Sequence, residues 1–566
     1  MTARCVMVLG TSSGAGKSWI ATALCRHYAR QGLRVAPFKA QNMSNNARVV
    51  ASISPSPAGG GQGWGQPAPA EPAAGPSPQP SPQRGEGADF LPLPPAGEGR
   101  GEGAAPLGEI GSAQYFQALA ARAVPDVRMN PLLLKPEADT RSQVLLLGQV
   151  SRELSALPWR GRSERVWPPI AAALDALRAE NDVVVIEGAG SPAEINLMAS
   201  DVVNLRVARH ADAACLLVTD IDRGGAFAHL YGTWALLPAA DRARIRGFVL
   251  NKFRGDAGLL APAPEQLQAL TGVPTVAVVP MRFGHGLPEE DGVFDDRPVG
   301  FDDKTGSGAD GSSASSYQND IDAPRRIAIV AYPRISNLDE FQPLKNVPGL
   351  TLAWARTPAA LAGADTIVLP GSKATAADLA WLRAQGLDAA IAAHAARGAR
   401  VLGICGGLQM LGEALIDEHG VESTDNAPGL GLLPLVTCFE RAKTVRHATQ
   451  RFGALTGAWA ALSRVPVTGY EIHSGRTVQH PAMAARGDVA REVMAGLAWQ
   501  NGAGNVLGVY LHGLFEDAAV LRALFGADAP ALDAVFDGLA DAIEQAFAPG
   551  VLDALVQRRT PANARV

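Results

Sequence analysis

The feature that most constrains the fold is a glycine-rich loop near the amino terminus. Residues 6–10 are an apolar run ending in glycine, residues 11–18 read Thr-Ser-Ser-Gly-Ala-Gly-Lys-Ser, and residues 19–30 are compatible with a helix. In such a loop, backbone N–H groups surround phosphates, the lysine reaches the β and γ oxygens, and the serine reaches Mg²⁺. A plain glycine turn with a surface lysine is the alternative, and the flanking strand and helix argue against it. The predicted nucleotide-binding residues are Gly10, Thr11, Gly14, Gly16, Lys17 and Ser18, and Ser18 is also a predicted metal ligand.

Strand-like runs alternate with helical stretches after this loop, at residues 144–147, 183–186, 215–219 and 247–250. This alternation predicts an α/β fold with a parallel sheet covered on both faces. Ligands of such sheets lie at the carboxyl ends of the strands. Glu187 ends one strand and is a predicted ligand of Mg²⁺ or of its bound water, with a helix-capping or surface acid as the alternative. Lys39 follows a strand-like run at 34–38 and is predicted to meet a phosphate or carboxylate.

A second alternating set comprises residues 326–331, 366–369, 401–404 and 506–511, and it contains Cys405 in the run Gly-Ile-Cys-Gly-Gly. A cysteine at a strand-to-helix turn is exposed to backbone N–H groups, which favour a thiolate and can stabilise an oxyanion. A thiolate nucleophile needs a base, and His512 in Tyr-Leu-His-Gly-Leu-Phe is the first candidate, with His473 as its competitor. The alternative for Cys405 is a buried free cysteine after a core strand.

Residues 369–373 (Leu-Pro-Gly-Ser-Lys) end another strand and could offer N–H groups to an oxyanion, or could simply turn the chain.

The length of 566 residues allows two or three domains. We predict a P-loop ATP-dependent synthetase domain at 1–300, a linker rich in Asp, Gly and Ser at 301–325, and a second α/β domain at 326–530. Residues 531–566 are a predicted C-terminal helical tail that completes the second domain. Residues 52–106 are dominated by Pro, Gly, Ala, Ser and Gln, so we expect a disordered insertion, with a Pro-rich partner-binding arm as the alternative.

Composition excludes several classes of function. The net charge of −5 gives no broad basic field that would favour nucleic acid as a partner. Five scattered cysteines without metal-binding spacing indicate reduced thiols, and we expect a cytoplasmic enzyme. The first strand begins too early to leave room for a signal peptide, and no apolar run reaches membrane-spanning length.

Taken in order, the motifs of the chain resemble those of the glutamine-dependent cobyric acid synthase family. The resemblance covers nearly the whole chain outside the insertion, the linker and the extreme carboxyl terminus. The matching runs are Gly-Thr-Ser-Ser-Gly-Ala-Gly-Lys-Ser (10–18), Pro-Phe-Lys-Ala-Gln-Asn-Met (37–43), Gly-Glu-Ile-Gly (108–111), Asn-Pro-Leu-Leu-Leu-Lys-Pro (130–136), Glu-Gly-Ala-Gly-Ser-Pro-Ala-Glu-Ile-Asn-Leu (187–197), Asp-Ile-Asp-Arg-Gly-Gly (220–225), Pro-Arg-Ile-Ser-Asn (333–337), Gly-Ile-Cys-Gly-Gly (403–407) and Tyr-Leu-His-Gly-Leu-Phe (510–515).

The resemblance implies a dethiobiotin-synthetase-like P-loop domain followed by a class I glutamine amidotransferase domain. It implies that ATP and Mg²⁺ drive amidation of the b, d, e and g carboxylates of adenosylcobyrinic acid a,c-diamide, with glutamine as the source of ammonia. Cys405 would then attack the glutamine amide and His512 would shuttle the proton. The partners would be small molecules: corrinoid carboxylates, L-glutamine and ATP.

The chain departs from the family pattern at two positions. Many class I amidotransferases carry a glutamate two residues after the histidine, where this chain has Leu514, and Glu516 cannot be assigned to that role. The family usually reads Ala-Asp-Gly-Gly-Glu-Ile-Gly where this chain has Ala51, the insertion and then residues 107–111, so that only Asp89 within the insertion could replace the family aspartate.

The domain plan is compatible with two rival functions. One is an a,c-diamide synthase or another glutamine-dependent ligase of the same domain plan. The other is a P-loop switch protein with a vestigial second domain, although such proteins typically carry a second lysine early in the loop, which this chain lacks.

Overall fold

The computed structural model describes residues 2–51, 107–138, 140–282, 284–288, 325–422, 426–527 and 532–557, which belong to one compact unit. The predicted insertion at 52–106, including Asp89, lies outside the described residues, as does the predicted linker at 301–325 except Arg325. Two main sheets organise the unit, and most of their strands are parallel. We call residues 2–288 the P-loop half and residues 325–527 the cysteine half.

Strands and helices alternate through much of the P-loop half. Its strands are β1 (Arg4–Gly10), β2 (Val35–Phe38), β3 (Gln41–Met43), β4 (Ala47–Ala51), β5 (Leu107–Gly111), β6 (Leu132–Ala138), β7 (Arg141–Leu146), β8 (Gln149–Val150), β9 (Val183–Glu187), β10 (Ala214–Asp220), β11 (Ile245–Phe253) and β12 (Thr275–Pro280). Its helices are α1 (Lys17–Arg30), α2 (Ser112–Ala120), α3 (Arg152–Ala156), α4 (Trp159–Glu180), α5 (Leu205–Ala211), α6 (Ala226–Leu236), α7 (Ala239–Arg242) and α8 (Ala263–Thr271).

The main sheet of this half is parallel throughout, in the order β12-β11-β10-β1-β9-β2. Its central strand β1 is buried on both faces: Met7 and Leu9 pack into one apolar cluster, whereas Val6 and Val8 pack into another. Burying each such side chain contributes about 1.5–3 kcal/mol. The predicted parallel sheet with two covered faces is therefore confirmed.

One predicted member of that sheet lies elsewhere. The run at 144–147 falls largely in β7, which pairs antiparallel with β6 in a separate four-stranded sheet, β3-β6-β7-β8. Its placement in the parallel sheet was wrong, because only two residues separate β6 from β7, which leaves no room for a crossover helix.

The cysteine half is also an α/β structure. Its strands are β13 (Arg325–Val330), β14 (Ile335–Ser336), β15 (Leu350–Ala355), β16 (Thr366–Leu369), β17 (Gly371–Ser372), β18 (Arg400–Ile404), β19 (Ala414–Ile416), β20 (Ala427–Pro428), β21 (Leu435–Arg451), β22 (Pro466–Gln479), β23 (Arg491–Met494), β24 (Ala498–Gln500) and β25 (Val506–Val509). Its helices are α9 (Pro358–Leu361), α10 (Thr375–Ala384), α11 (Leu387–Ala396), α12 (Gly406–Leu411), α13 (Pro481–Ala484) and α14 (Ala518–Phe525).

The main sheet of the cysteine half has the order β15-β13-β16-β18-β25-β24-β23. The first five strands are parallel, and β24 and β23 extend the sheet antiparallel. The long hairpin of β21 and β22 belongs to a different sheet and reaches the P-loop half, where Lys443 on β21 pairs with Glu109 on β5 at 2.6 Å.

The C-terminal tail forms two helices, α15 (Leu532–Ala546) and α16 (Val551–Val556), which pack on the P-loop half. Phe536 and Ile543 belong to the same apolar cluster as Val6 of β1. Arg26 on α1 donates to Asp537 at 2.7 Å. The expectation that the tail completes the second domain was therefore wrong for residues 532–557, because the apolar face of α15 covers the helical layer over the first sheet.

Across the part of the chain that the structure describes, no helix combines the length and the apolar character needed to cross a membrane.

Candidate active sites

The glycine-rich loop connects β1 to α1 at the carboxyl edge of the first sheet. Gly16 precedes α1 with φ 93°, a conformation that L side chains rarely adopt, and a Cβ there would lie 2.0 Å from Nδ2 of Asn251. Lys17 is buried, and its Nζ donates to the carbonyl of Ser12 at 2.8 Å and to that of Gly190 at 3.3 Å. Its ammonium group therefore lies over the loop, where a phosphate would be received.

The other predicted loop residues take supporting positions. Gly14 has φ 71°, which favours glycine. A Cβ on Gly10 would lie 3.0 Å from Nζ of Lys17 and from the carbonyl oxygen of Ser12, which is closer than an ordinary van der Waals contact. The hydroxyl of Thr11 donates to that of Thr219 on β10 at 3.0 Å, which ties the loop to the sheet.

Two residues of β11, Asn251 and Lys252, hold the glycine-rich loop in place. The sequence alone assigned neither of them an individual role. Asn251 donates from Nδ2 to the carbonyl of Ala15 at 2.9 Å. Lys252, with φ 61°, donates from Nζ to the carbonyl of Gly14 at 2.8 Å and pairs with Asp220 at 3.0 Å. A signal was present, because the polar runs beginning at Asp220 and Asn251 both end strands of the same sheet.

The structure places Glu187 and Ser18 together, as the metal-ligand prediction requires. Ser18 donates to Oε1 of Glu187 at 2.8 Å, Lys39 donates to the same oxygen at 2.9 Å, and Gln117 donates to Oε2 at 2.5 Å. Burial alone would raise the pKa of Glu187, but the charge of Lys39 and these hydrogen bonds outweigh it and lower the pKa. Glu187 is therefore an anion. Its alternative as a surface or helix-capping acid fails, because it is 1% exposed and its oxygens accept from side chains.

These oxygens fit a magnesium ion. Among the described residues no group of three or more His, Cys, Asp or Glu side chains could hold a metal. Mg²⁺ needs no such cage, because it is commonly bound by one or two protein oxygens together with water and substrate phosphates. The hydroxyl of Ser18 and the carboxylate of Glu187 supply that minimal set.

A cleft of about 450 Å³ opens beside this cluster. Lys17, Lys39 and Glu187 line its polar side, together with the run that begins at Ser191. Met43, which is 59% exposed, and Leu197, which is 40% exposed, also line it. The cleft thus presents both charged groups and an open apolar surface.

In the cysteine half, Cys405 stands at the turn between β18 and α12. Its backbone has φ 50° and ψ −105°, and its N–H donates to the carbonyl of Val509 at 2.7 Å. A non-glycine residue at positive φ is strained, and such strain concentrates at functional sites. The turn needs glycine neighbours, because a Cβ on Gly407 would lie 1.9 Å from the carbonyl oxygen of Leu369.

His512 and Cys405 lie close enough that the charge of the thiol acts on the imidazole, and the thiol itself donates to the carbonyl of Ile472 at 3.7 Å. On its other side, Nδ1 of His512 lies 3.2 Å from Oε1 of Glu340, whose Oε2 accepts from the backbone N–H of Gly513 at 3.1 Å. Burial alone would lower the pKa of His512, but the charges of Glu340 and Cys405 raise it to about 10. Cys405, His512 and Glu340 are thus neighbouring buried side chains, with His512 hydrogen-bonded to Glu340.

Sequence reasoning missed Glu340. It sought an acid after the histidine, where Leu514 is buried in apolar surroundings. Glu516 pairs instead with Arg48 at 2.6 Å. The sequence did contain an indication of its role, because Glu340 lies three residues after the family-like run Pro-Arg-Ile-Ser-Asn at 333–337.

The competitor base His473 is held by other groups. Its Nε2 lies 3.1 Å from Oε2 of Glu471, its Nδ1 lies 2.8 Å from the carbonyl of Gly475, and its ring stacks on that of Tyr510 at 4.0 Å. His473 lines the cavity beside Cys405, but both of its ring nitrogens are engaged within the hairpin strand β22.

The loop at 369–373 lies against both members of the cysteine site. A Cβ on Gly371 would lie 2.9 Å from Cε1 of His512, and a Cβ on Gly406 would lie 2.7 Å from the backbone nitrogen of Ser372. The N–H groups of this loop are therefore adjacent to the turn that carries Cys405.

The cavity at Cys405 has a volume of about 60 Å³ and is lined by both halves of the chain. Gln409 and Glu422 come from the cysteine half, whereas Asn45 and Lys135 come from the P-loop half. Burial lowers the pKa of Lys135, in spite of its pairing with Glu109, to about 8.

Comparisons with known proteins agree with this arrangement. Residues 6–289 match the CobQ/CobB/MinD/ParA nucleotide binding domain, and residues 326–520 match the CobB/CobQ-like glutamine amidotransferase domain. The chain is 71% identical to the cobyric acid synthase of Acidovorax ebreus (strain TPSY), over 98% of this chain and 99% of that protein. It is 70% identical to that of Acidovorax sp. (strain JS42), over 98% of each chain. It is 68% identical to that of Variovorax paradoxus (strain S110), over 98% of this chain and 100% of that protein.

Proposed function

The chain belongs to the cobyric acid synthase family, a family of glutamine-dependent amidotransferase ligases, and from this premise we propose its substrates and the roles of its residues. The reaction is the ATP- and glutamine-dependent amidation of the b, d, e and g carboxylates of adenosylcobyrinic acid a,c-diamide. One observation carries the proposal. The same protein holds the buried side chains of Cys405, His512 and Glu340 and a glycine-rich loop whose Ser18 bonds to Glu187.

The cysteine half releases ammonia from glutamine. The thiolate of Cys405 attacks the amide carbon, and the imidazolium of His512 protonates the departing nitrogen as the carbon–nitrogen bond breaks. Ammonia leaves and a glutamyl thioester remains, which water hydrolyses to glutamate while His512 takes a proton from the water. Glu340 holds the ring of His512 in place and stabilises its positive charge, as the acid of a catalytic triad does.

The oxyanion that forms during this attack needs N–H donors on the side of the glycine turn. We assign that role to the N–H groups of Ser372 and Gly406, which lie next to each other beside Cys405. Fixed backbone donors need no reorganisation when the charge develops, and they usually make a large contribution to acyl transfer.

The P-loop half activates the acceptor carboxylate. The carboxylate attacks the γ-phosphorus of ATP, ADP leaves, and ammonia then displaces phosphate from the acyl phosphate. Lys17 neutralises charge on the transferring group. Ser18 and Glu187 would hold Mg²⁺, which supplies further charge neutralisation at the β and γ oxygens when bound. Lys39 keeps Glu187 ionised, and the exposed Met43 and Leu197 offer an apolar surface to a macrocyclic acceptor.

We place this reaction in the cytoplasm. Cys5, Cys25, Cys215, Cys405 and Cys438 are all free thiols. Free thiols, one of them a nucleophile, suit a reducing compartment.

Mass spectrometry of the corrinoid product tests the proposal. The purified chain is supplied with ATP, glutamine and either the a,c-diamide or its unamidated precursor, and the amide groups added are counted. We expect four amides on the a,c-diamide. If only the a and c carboxylates of the precursor are amidated, the chain is an a,c-diamide synthase and the proposal is wrong.

Two variants separate the half-reactions. Cys405→Ala should lose amidation with glutamine and retain it with ammonium salts, whereas Lys17→Ala should lose both. Full activity of Cys405→Ala with glutamine would contradict the assignment of the nucleophile.

A further inference from the structure

We propose that Arg48 is a positioning residue through which the P-loop half holds the His512–Glu340 pair in its competent arrangement. This inference rests on the proposed function of the cysteine site. Arg48 touches neither glutamine nor the reacting atoms in this proposal. It acts on the neighbours of the catalytic pair, from the other half of the chain.

The first observation is the environment of the guanidinium group. Arg48 lies on β4, and its side chain is 3% exposed. Its Nη2 forms ion pairs with Asp339 and with Oε1 of Glu516, the latter at 2.6 Å, and its Nη1 donates to Oε2 of Glu516 at 2.9 Å. Both carboxylates belong to the cysteine half. An arginine in this bidentate geometry fixes the direction as well as the position of its partner.

The second observation is where these partners stand. Asp339 immediately precedes Glu340 in the chain, and Glu516 closes the short turn that follows His512. The two carboxylates bound by Arg48 therefore flank the two members of the His512–Glu340 pair. Movement of either carboxylate would change the distance between the imidazole and its acid.

The third observation concerns the ring that packs on His512. Tyr470 stacks on the imidazole with ring centroids 5.4 Å apart, and the two backbones exchange hydrogen bonds of 2.9 and 3.2 Å. The guanidinium of Arg48 lies over the same tyrosine ring, 5.0 Å from its centroid. Arg48 thus contacts the ring that stacks on His512 as well as the two carboxylates that neighbour the His512–Glu340 pair along the chain.

The residues before Arg48 make the connection continuous. Gln41 and Met43 line the nucleotide cleft, and Asn45 lines the cavity at Cys405. Asn46 accepts from the N–H of Leu338 at 2.9 Å, and the N–H of Ala47 donates to Asn337 at 3.0 Å. A single run at residues 41–48 therefore borders the cleft at one end and binds the segment that carries Glu340 at the other.

The test is a double-mutant cycle between Arg48→Met and Glu340→Gln, read in the full-length enzyme as glutamate release. We expect Arg48→Met to lower the glutaminase kcat by at least about 10-fold while the KM for glutamine stays within about twofold, since only positioning of the proton-transfer pair is lost. In the Glu340→Gln background the same substitution should cause little further loss, because the two residues act through one step. An equal fold-loss in both backgrounds, or an unchanged kcat, would overturn the proposal.

A matched control is Arg34→Met, which removes an exposed arginine of the same half, paired with Asp182 at the surface. It should leave glutamate release unchanged. Amidation with ammonium salts serves as the internal check of folding, because Arg48→Met should retain it. If the wild-type chain releases no glutamate at all, the proposed function fails, and that outcome is distinct from a failure of the Arg48 assignment.

Arg48→Met leaves Asp339 buried without its cation and can unfold the chain, so a milder variant carries the same test. Glu516→Gln removes only one of the two carboxylates, which is 29% exposed. We expect Glu516→Gln to lower kcat by a smaller factor than Arg48→Met does. In the Glu340→Gln background it should cause little further loss. A kcat equal to that of the wild type in Glu516→Gln would count against the positioning role of Arg48.

Discussion

Glu340→Gln is the sharpest test of the cysteine site, because the substitution removes one charge and keeps the shape of the side chain. The amide can still accept the hydrogen bond from the N–H of Gly513. What is lost is the interaction of the carboxylate with the imidazolium of His512, at 3.2 Å.

The magnitude follows from this distance. Two unit charges 3.2 Å apart attract by about 5 kcal/mol at an effective dielectric constant of about 20. Some of this attraction is offset by the cost of holding the ion pair in a buried site, so we take about 3 kcal/mol as the net loss. At 1.36 kcal/mol per factor of ten, this loss corresponds to a kcat lower by about 100-fold.

The sign of the pH effect is fixed by the same contacts. Burial lowers the pKa of His512, and the charges of Glu340 and Cys405 raise it to about 10 in the wild type. The imidazolium is therefore present at neutral pH and is lost as the pH rises through about 10. Without the charge of Glu340, burial should lower the pKa of His512. The alkaline side of the pH profile of glutaminase activity should therefore move to lower pH.

The assay is glutamate release as a function of pH, with Glu492→Gln as the control. Glu492 is an exposed glutamate of the same half that accepts from the N–H of Gly496 at 2.6 Å, away from the cysteine. It should behave as the wild type. If Glu340→Gln keeps its kcat within about threefold of the wild type, or if its alkaline limb stays in place, then Glu340 does not support His512 in the way described.

Further predictions concern the P-loop half. Gly16→Ala places a Cβ 2.0 Å from the side chain of Asn251 at φ 93°, so ATP-dependent amidation should fall to background while glutaminase activity persists; normal amidation would contradict the loop geometry. Lys39→Met leaves Glu187 buried without its cation and should lower the free energy of unfolding by about 3 kcal/mol, measured by denaturant titration. The exposed Lys345→Met is its control and should change that free energy little. Because Lys39 lowers the pKa of Glu187, the stability that this pair contributes should be present at neutral pH and lost as the pH falls through that lowered pKa; acid titration of the wild type against Lys39→Met measures it.

The contrast between Glu187 and Glu340 explains which site residues could be found before the fold was known. Glu187 ends an apolar strand, and the carboxyl edge of a parallel sheet is where ligands gather, so its position along the chain already indicated its role. Glu340 lies 172 residues before its partner His512, in a short irregular helical segment without a strand end to mark it. The search for an acid near the histidine in sequence therefore reached Leu514 and Glu516, one of which is core and the other a partner of Arg48.

What the sequence by itself determined are the features made by neighbouring residues: the glycine loop with Lys17 and Ser18, the strained turn at Cys405, and the alternation that gives two parallel sheets. These features depend on backbone conformations that only certain short runs allow, so the runs identify them. Tertiary structure alone decided that Glu340 lies beside His512, that Arg48 reaches the neighbouring carboxylates from the other half, and that the tail packs on the P-loop half. Those contacts join residues far apart in the chain. They depend on complementary burial and charge in the folded state, and a short sequence pattern cannot predict them.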